Sequence, residues 1–181
     1  MNLWWMAIPV ALLATGLMAA QSTNEVLAVG APAPEFAALG TNDRTNRLSE
    51  LRGKWVVLYF YPKAFTPGCT AEACSLRDGY ADIQKLGAVI LGVSVDGVAR
   101  LKEFKQKYNL PFDLLTDQDK RVSRAYKTLG FGGWFAERRT FVIDPRGVIA
   151  HVFESVNTGA HDKEVAALLQ QLQASAVTAQ P

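Results

Sequence analysis

Residues 55–61, Trp-Val-Val-Leu-Tyr-Phe-Tyr, are apolar at every position and rich in β-branched and aromatic side chains. Such a run predicts a central strand covered on both faces. Residues 88–95, Ala-Val-Ile-Leu-Gly-Val-Ser-Val, read the same way. Between them, residues 69–86 set Leu76, Tyr80, Ile83 and Leu86 on one helical stripe, and Gly87 stops the helix. Leu48 to Gly53 reads as a short amphipathic turn before the first strand. Asp96-Gly97 opens a second helix that runs through Tyr108, with Leu101 and Phe104 inward and lysines outward. Asn109-Leu110-Pro111 ends it. A short strand over 112–115, a short helix over 120–127 and a glycine-rich loop over 130–133 follow. Residues 140–143 and 148–153, joined by Asp144-Pro145-Arg146-Gly147, predict a hairpin, and residues 161–172 a closing amphipathic helix. Buried strands alternating with amphipathic helices, then a hairpin and a last helix, predict an α/β fold: a thioredoxin-like sandwich, with a central mixed β-sheet flanked by helices.

The N-terminal segment stands apart from this alternation. Residues 3–20 carry no charge, and Ala20-Gln21-Ser22 has the small-x-small form of a cleavage site. Residues 1–22 are therefore read as a secretory signal peptide or an uncleaved membrane anchor, with a buried core helix as the remaining alternative. The first two readings place the protein in a periplasm or equivalent lumen, any membrane contact being confined to this segment. Residues 23–38, bearing Pro32 and Pro34, read as a linker leading into the domain, 39–173 as the domain itself, and 174–181 as a frayed tail.

Composition narrows the chemistry. The 181 residues carry a net charge of only +2, with no basic run interleaved with aromatics, which argues against a nucleic-acid partner. Two cysteines, Cys69 and Cys74, cannot make a disulfide framework or a four-thiolate zinc site. His151 and His161 lie far along the chain from both and read as structural, and Trp134 reads as core or loop packing. No metal site is expected.

Cys69 draws the attention instead. Pro62 ends the first strand, and Thr66-Pro67-Gly68 has the form of a helix start, with a hydroxyl cap and proline at the first helical position. A cysteine at a helix mouth meets unpaired backbone N–H groups and the positive end of the helix dipole, which favour the thiolate. A hydroxyl hydrogen bond from Thr66 and a guanidinium from Arg138 or Arg139 would add to this. The product is a nucleophile at neutral pH. Five positions apart on an α-helix, Cys69 and Cys74 would have Cα atoms roughly 8–9 Å apart and about 140° around the axis. A disulfide needs less than about 7 Å. Either the bond is a permanent staple and no helix exists here, or it forms transiently when the first turn unwinds; the residues alone leave both open.

Residues 59–78, YFYPKAFTPGCTAEACSLRD, resemble the active-site segment of the peroxiredoxins, specifically the peroxiredoxin Q group, also called bacterioferritin comigratory protein. The P-x3-T-x2-C signature stands as Pro62, Thr66 and Cys69. The resemblance continues through Leu91-Gly-Val-Ser-Val-Asp96 and Arg138-Arg-Thr-Phe-Val-Ile-Asp144 and spans roughly 29–172. It implies a thiol-dependent peroxidase acting on hydrogen peroxide and organic hydroperoxides. Cys69 would be the peroxidatic cysteine, oxidised to a sulfenic acid. Pro62 would shield it, Thr66 would hydrogen-bond sulfur and peroxide, and Arg138, rather than Arg139, would hold the thiolate. Cys74 would resolve the sulfenic acid through an intramolecular disulfide, which thioredoxin or another dithiol protein would reduce. The resemblance also implies a monomer and no cofactor: no metal, haem or flavin. Residues 130–136, to which it assigns no role, are read as shaping the substrate approach. Two rival readings remain: an exported thioredoxin-like thiol–disulfide oxidoreductase acting on proteins, which would be expected to carry the absent C-x-x-C, and a non-enzymatic exported domain stapled by its two cysteines.

Overall fold

In the computed structural model, residues 27–178 are described. In chain order they form β1 (Ala37–Leu39), β2 (Thr45–Arg47), a 3-10 turn (Leu48–Leu51), β3 (Trp55–Phe60), α1 (Pro67–Asp78), α2 (Tyr80–Lys85), β4 (Ala88–Ser94), α3 (Val98–Lys107), β5 (Asp113–Thr116), α4 (Arg121–Ala125), β6 (Arg139–Ile143), β7 (Ile149–Phe153) and α5 (His161–Thr178). β1 and β2 pair as a small antiparallel ribbon, and the other strands make one sheet in the order β5-β4-β3-β6-β7. β3, β4 and β5 run parallel, so helices must carry the chain back between them, whereas β6 and β7 are antiparallel additions joined by a tight turn.

β3 is the centre of the sheet, and its continuous apolar run is explained by burial on both sides: Val56 through Tyr61 are all at most 1% exposed. Strand alternation divides them. Val57, Tyr59 and Tyr61 face Cys69, Ala73 and Leu76 of α1, Ile83 of α2, Leu101 and Phe104 of α3, and Val165 and Leu169 of α5. Val56, Leu58 and Phe60 face the second layer, which includes Phe36, Leu48, Val122 of α4 and Tyr126. The predicted thioredoxin-like sandwich is the observed one.

The structure departs from the predicted elements in four places. The helix expected over 69–86 is two helices, broken at Gly79. There α5 comes so close that a Cβ on Gly79 would lie 2.5 Å from the Cβ of Asp162. Asp162 is anchored by the Ser75 hydroxyl, which donates to its carboxylate at 2.7 Å and accepts its backbone N–H at 3.1 Å. The fold also begins inside the proline-bearing lead-in, where Ala33 and Phe36 are buried and Pro32 bridges to Val148. α5 continues to Thr178, beyond the point at which the sequence predicts fraying. Trp134, expected to be packed, is 70% exposed.

Candidate active site

The site is assembled at the end of β3. Tyr61 extends the strand with an N–H···O bond to Val93 (3.1 Å), and Pro62 ends it. The following turn is held from the side: the Asp96 carboxylate accepts the Ala64 N–H (2.7 Å), and Arg100 donates to the Ala64 carbonyl (3.1 Å). Phe65 adopts a left-handed backbone (φ 70°). Thr66 is the extended N-cap residue of α1, with Pro67 at the first helical position, and its carbonyl accepts the Thr70 N–H at 2.9 Å. Cys69 therefore lies in the first turn of α1, at the helix mouth that the sequence predicts, and is 1% exposed.

Strand register brings the arginine. β6 runs antiparallel beside β3 with Arg139 opposite Phe60, so Arg138 emerges just beyond the strand, level with the start of α1. Its Nη2 donates to Cys69 Sγ at 3.3 Å. Its Nη1 is ion-paired with Glu72, which is fully buried. Glu72 stands three positions after Cys69 on the same helix face, so one guanidinium spans both side chains. Arg139 turns away, donating to the Lys127 carbonyl and pairing with Glu137, each at 3.1 Å. Of the two arginines left open by the bare sequence, Arg138 is the one at the sulfur.

The electrostatics follow from this burial. Burial raises the Glu72 pKa to about 7, even though Arg138 pulls it down. One Glu72 oxygen, Oε1, has no hydrogen-bond partner, and the hydroxyls of Tyr59 and Tyr61 are likewise buried without partners. Burial, reinforced by neighbouring acidic groups, holds both phenols well above their ordinary range. Burial works against charge on Arg138, but Glu72 and Cys69 outweigh it and keep the guanidinium protonated.

The other expected site residues fall as follows. Thr66 is at the site, but its hydroxyl donates to the Lys63 carbonyl (3.0 Å) rather than to the sulfur: a hydroxyl has one proton, and the turn offers it a carbonyl. Pro62 is half-buried at the strand end. Cys74 is half-buried further along α1, and both cysteines are free thiols in an unbroken helix. His161 is buried and hydrogen-bonded to Thr140 (2.9 Å), a structural role as the sequence suggests. Glu72 was not anticipated. Its signal was present: it occupies the apolar stripe of Leu76, Tyr80 and Ile83, where an acid calls for a buried partner.

The AhpC/TSA family profile matches residues 29–152. The chain belongs to the AhpC/TSA family. Within this family it is 46% identical over 143 residues to the putative peroxiredoxin bcp of Coxiella burnetii, an alignment covering 76% of this chain and 95% of that one. It is 40% identical over 150 residues to the peroxiredoxin Bcp of Bacillus subtilis, covering 80% and 96%. Among solved structures, the peroxiredoxin Q of Xanthomonas campestris superposes with a TM-score of 0.73 at 32% identity, covering 82% of this chain and 98% of that one. The peroxidoxin BcpB of Mycobacterium tuberculosis does so with a TM-score of 0.73 at 32% identity, covering 80% and 97%. This chain is a thiol-dependent peroxidase, a peroxiredoxin of the Bcp and peroxiredoxin Q type.

The same comparisons correct the expected location. The bacterial AhpC/TSA relatives are matched over 95% and 96% of their lengths, so almost nothing in them remains for an export leader. Among the described residues no helix is long and apolar enough to cross a membrane. It is the comparison with these relatives that overturns placement in a periplasm or equivalent lumen, inferred from the composition of residues 3–20 alone, and the exported oxidoreductase reading finds no support. The signal-peptide and anchor readings themselves fall on residues outside those described.

Proposed function

We propose that Cys69 is the peroxidatic cysteine, Cys74 the resolving cysteine, and Pro62, Thr66 and Arg138 the residues that shape their chemistry. The Cys69 thiolate attacks the terminal oxygen of the hydroperoxide. The O–O bond breaks, water or an alcohol leaves with the proton, and a sulfenic acid remains on Cys69. Arg138 orients the sulfur and offers N–H groups to the negative charge that develops as the O–O bond lengthens. Glu72 holds Arg138 in this position. The Thr66 hydroxyl, its proton committed to Lys63, has lone pairs that accept the peroxide O–H, and Pro62 screens the sulfur from bulk water. Cys74 then attacks the Cys69 sulfur, the S–O bond breaks and water leaves. The resulting disulfide is reduced by exchange with the partner dithiol.

Closing that disulfide requires the first turn of α1 to unwind, because an intact helix keeps the two sulfurs apart. Both cysteines belong to one helix, so no second subunit is needed, which supports a monomeric enzyme. The observation that carries the reading is the 3.3 Å contact between Arg138 Nη2 and the buried Cys69 Sγ.

The test is peroxide consumption by reduced protein with dithiothreitol or a thioredoxin system as electron donor. Cys69→Ser is expected to abolish consumption. Cys74→Ser is expected to keep the first turnover at the wild-type rate and to lose recycling by thioredoxin. A Cys69→Ser enzyme that consumes peroxide at the wild-type rate refutes the assignment, and an equally slowed first turnover in Cys74→Ser refutes the resolving role.

A further inference from the structure

Phe65 is a bulky aromatic residue in left-handed backbone (φ 70°), one position before the N-cap of α1 and four before Cys69. A side chain with a Cβ resists that conformation, which persists only where the surroundings over-determine it. Here they do so from α3. The Phe65 ring packs edge-to-face on Phe104, with centroids 5.1 Å apart at 71°, and lies 6.3 Å from the Tyr108 ring. The Arg100 guanidinium sits 4.9 Å and the Lys107 ammonium 5.6 Å from its centroid. Arg100, Phe104 and Lys107 recur at helical spacing on one face of α3. Arg100 also donates to the Ala64 carbonyl, while Asp96, just before α3, accepts the Ala64 N–H. One helix thus grips the ring of residue 65 and the backbone of residue 64 together.

We propose that Phe65 is a positioning residue for the resolution step: its ring, seated on α3, latches the first turn of α1. The turn that carries Cys69 follows directly on a strained residue that is fastened by that seat and by the grip on Ala64. When the ring leaves, the backbone relaxes from the left-handed region and the turn is free to unwind toward Cys74. Phe65 thereby sets how long a Cys69 sulfenic acid persists. A persisting sulfenic acid meets a second hydroperoxide, which transfers an oxygen to give the sulfinic acid and releases water or an alcohol. A released one condenses with the Cys74 thiol and loses water. The inference rests on the Cys69–Cys74 cycle proposed above.

The experiment uses the full chain, reduced, mixed rapidly with hydrogen peroxide. Samples are quenched with a thiol-alkylating reagent, and the Cys69 sulfenic, disulfide and sulfinic forms are quantified by mass spectrometry. Phe65→Ala is expected to form the sulfenic acid within twofold of the wild-type rate. Loss of the aromatic and cation contacts should speed disulfide formation by about tenfold, and the sulfinic fraction at high peroxide should fall. Phe65→Tyr, which keeps the ring, should restore the wild-type partition; a residue serving stability alone would change the melting temperature and leave the partition where it was. Normal sulfenic acid formation with disulfide formation no faster than wild type overturns the latch. Should Phe65→Ala fail to fold, Lys107→Met leaves the ring and removes one cation; a smaller acceleration in the same direction supports the latch, and none overturns it. A wild-type protein that never forms the Cys69–Cys74 disulfide overturns the underlying cycle, a failure distinct from that of the latch alone.

Discussion

Replacing Glu72 by glutamine should make this protein more stable at alkaline pH and leave it nearly unchanged in mild acid. Glu72 is fully buried, and burial raises its pKa from an ordinary 4.5 to about 7 despite the ion pair with Arg138. Between those values the folded protein holds a proton that the unfolded chain has released. Stability is therefore greatest below the ordinary carboxyl pKa and is lost as pH rises through about 7. The difference, 7 − 4.5, is 2.5 pKa units. At about 1.4 kcal/mol per unit, the charged form costs roughly 3 kcal/mol, most of it appearing between pH 5 and pH 8. Glutamine keeps the shape and the carbonyl that faces Arg138 but cannot ionise. The assay is urea unfolding at pH 5 and pH 8 of Glu72→Gln and its parent, both in a Cys69→Ser background so that only the carboxyl differs. The variant should gain roughly 2–3 kcal/mol on its parent between the two pH values. A difference that stays flat with pH would refute the reasoning. A uniform loss of stability at both would mean that attraction to Arg138, rather than burial, governs this carboxyl.

Two further substitutions probe the same neighbourhood. Arg138→Met removes the donor at Cys69 and leaves Glu72 buried without its partner, so stopped-flow peroxide attack should slow on the order of a hundredfold or more; a rate within twofold of wild type would remove Arg138 from the chemistry. Gly92→Ala puts a Cβ 2.6 Å from the Cζ and hydroxyl oxygen of Tyr59 in the centre of the sheet, where Tyr59 is fully buried and has no room to swing aside. Thermal and urea unfolding should show a loss of about 1–3 kcal/mol, and an unchanged midpoint would show that the ring yields freely.

The peroxidase identity was legible because its signature is local. A strand that ends at Pro62, a helix that starts at Thr66-Pro67, and a cysteine in the first turn all lie within a few residues, and each element declares itself by composition. Thr66 shows the limit of that kind of reading. Its place as N-cap was correct, but its hydroxyl makes no capping hydrogen bond, and where its single proton goes was decided by the carbonyl of Lys63 across the turn. The export expectation failed for a related reason. It rested on the composition of one terminal segment, with no partner elsewhere in the chain to test it against.

By itself the sequence determined the order of the central strands and their helices, the burial of β3 on both faces and the hairpin turn. These depend on periodicity and on caps, which act over a handful of bonds. That Cys69 and Cys74 stand apart as free thiols on one helix was settled by the structure. Only the tertiary structure decided that Arg138 and not Arg139 reaches the sulfur, that Glu72 is a buried partner and not a solvated charge, and that Trp134 lies exposed. It also decided that α3 holds Phe65 in a conformation its side chain resists. Arg138 and Cys69 stand 69 positions apart, and what joins them is the register of β6 against β3. A one-residue shift in that register would carry the guanidinium to the other face of the sheet.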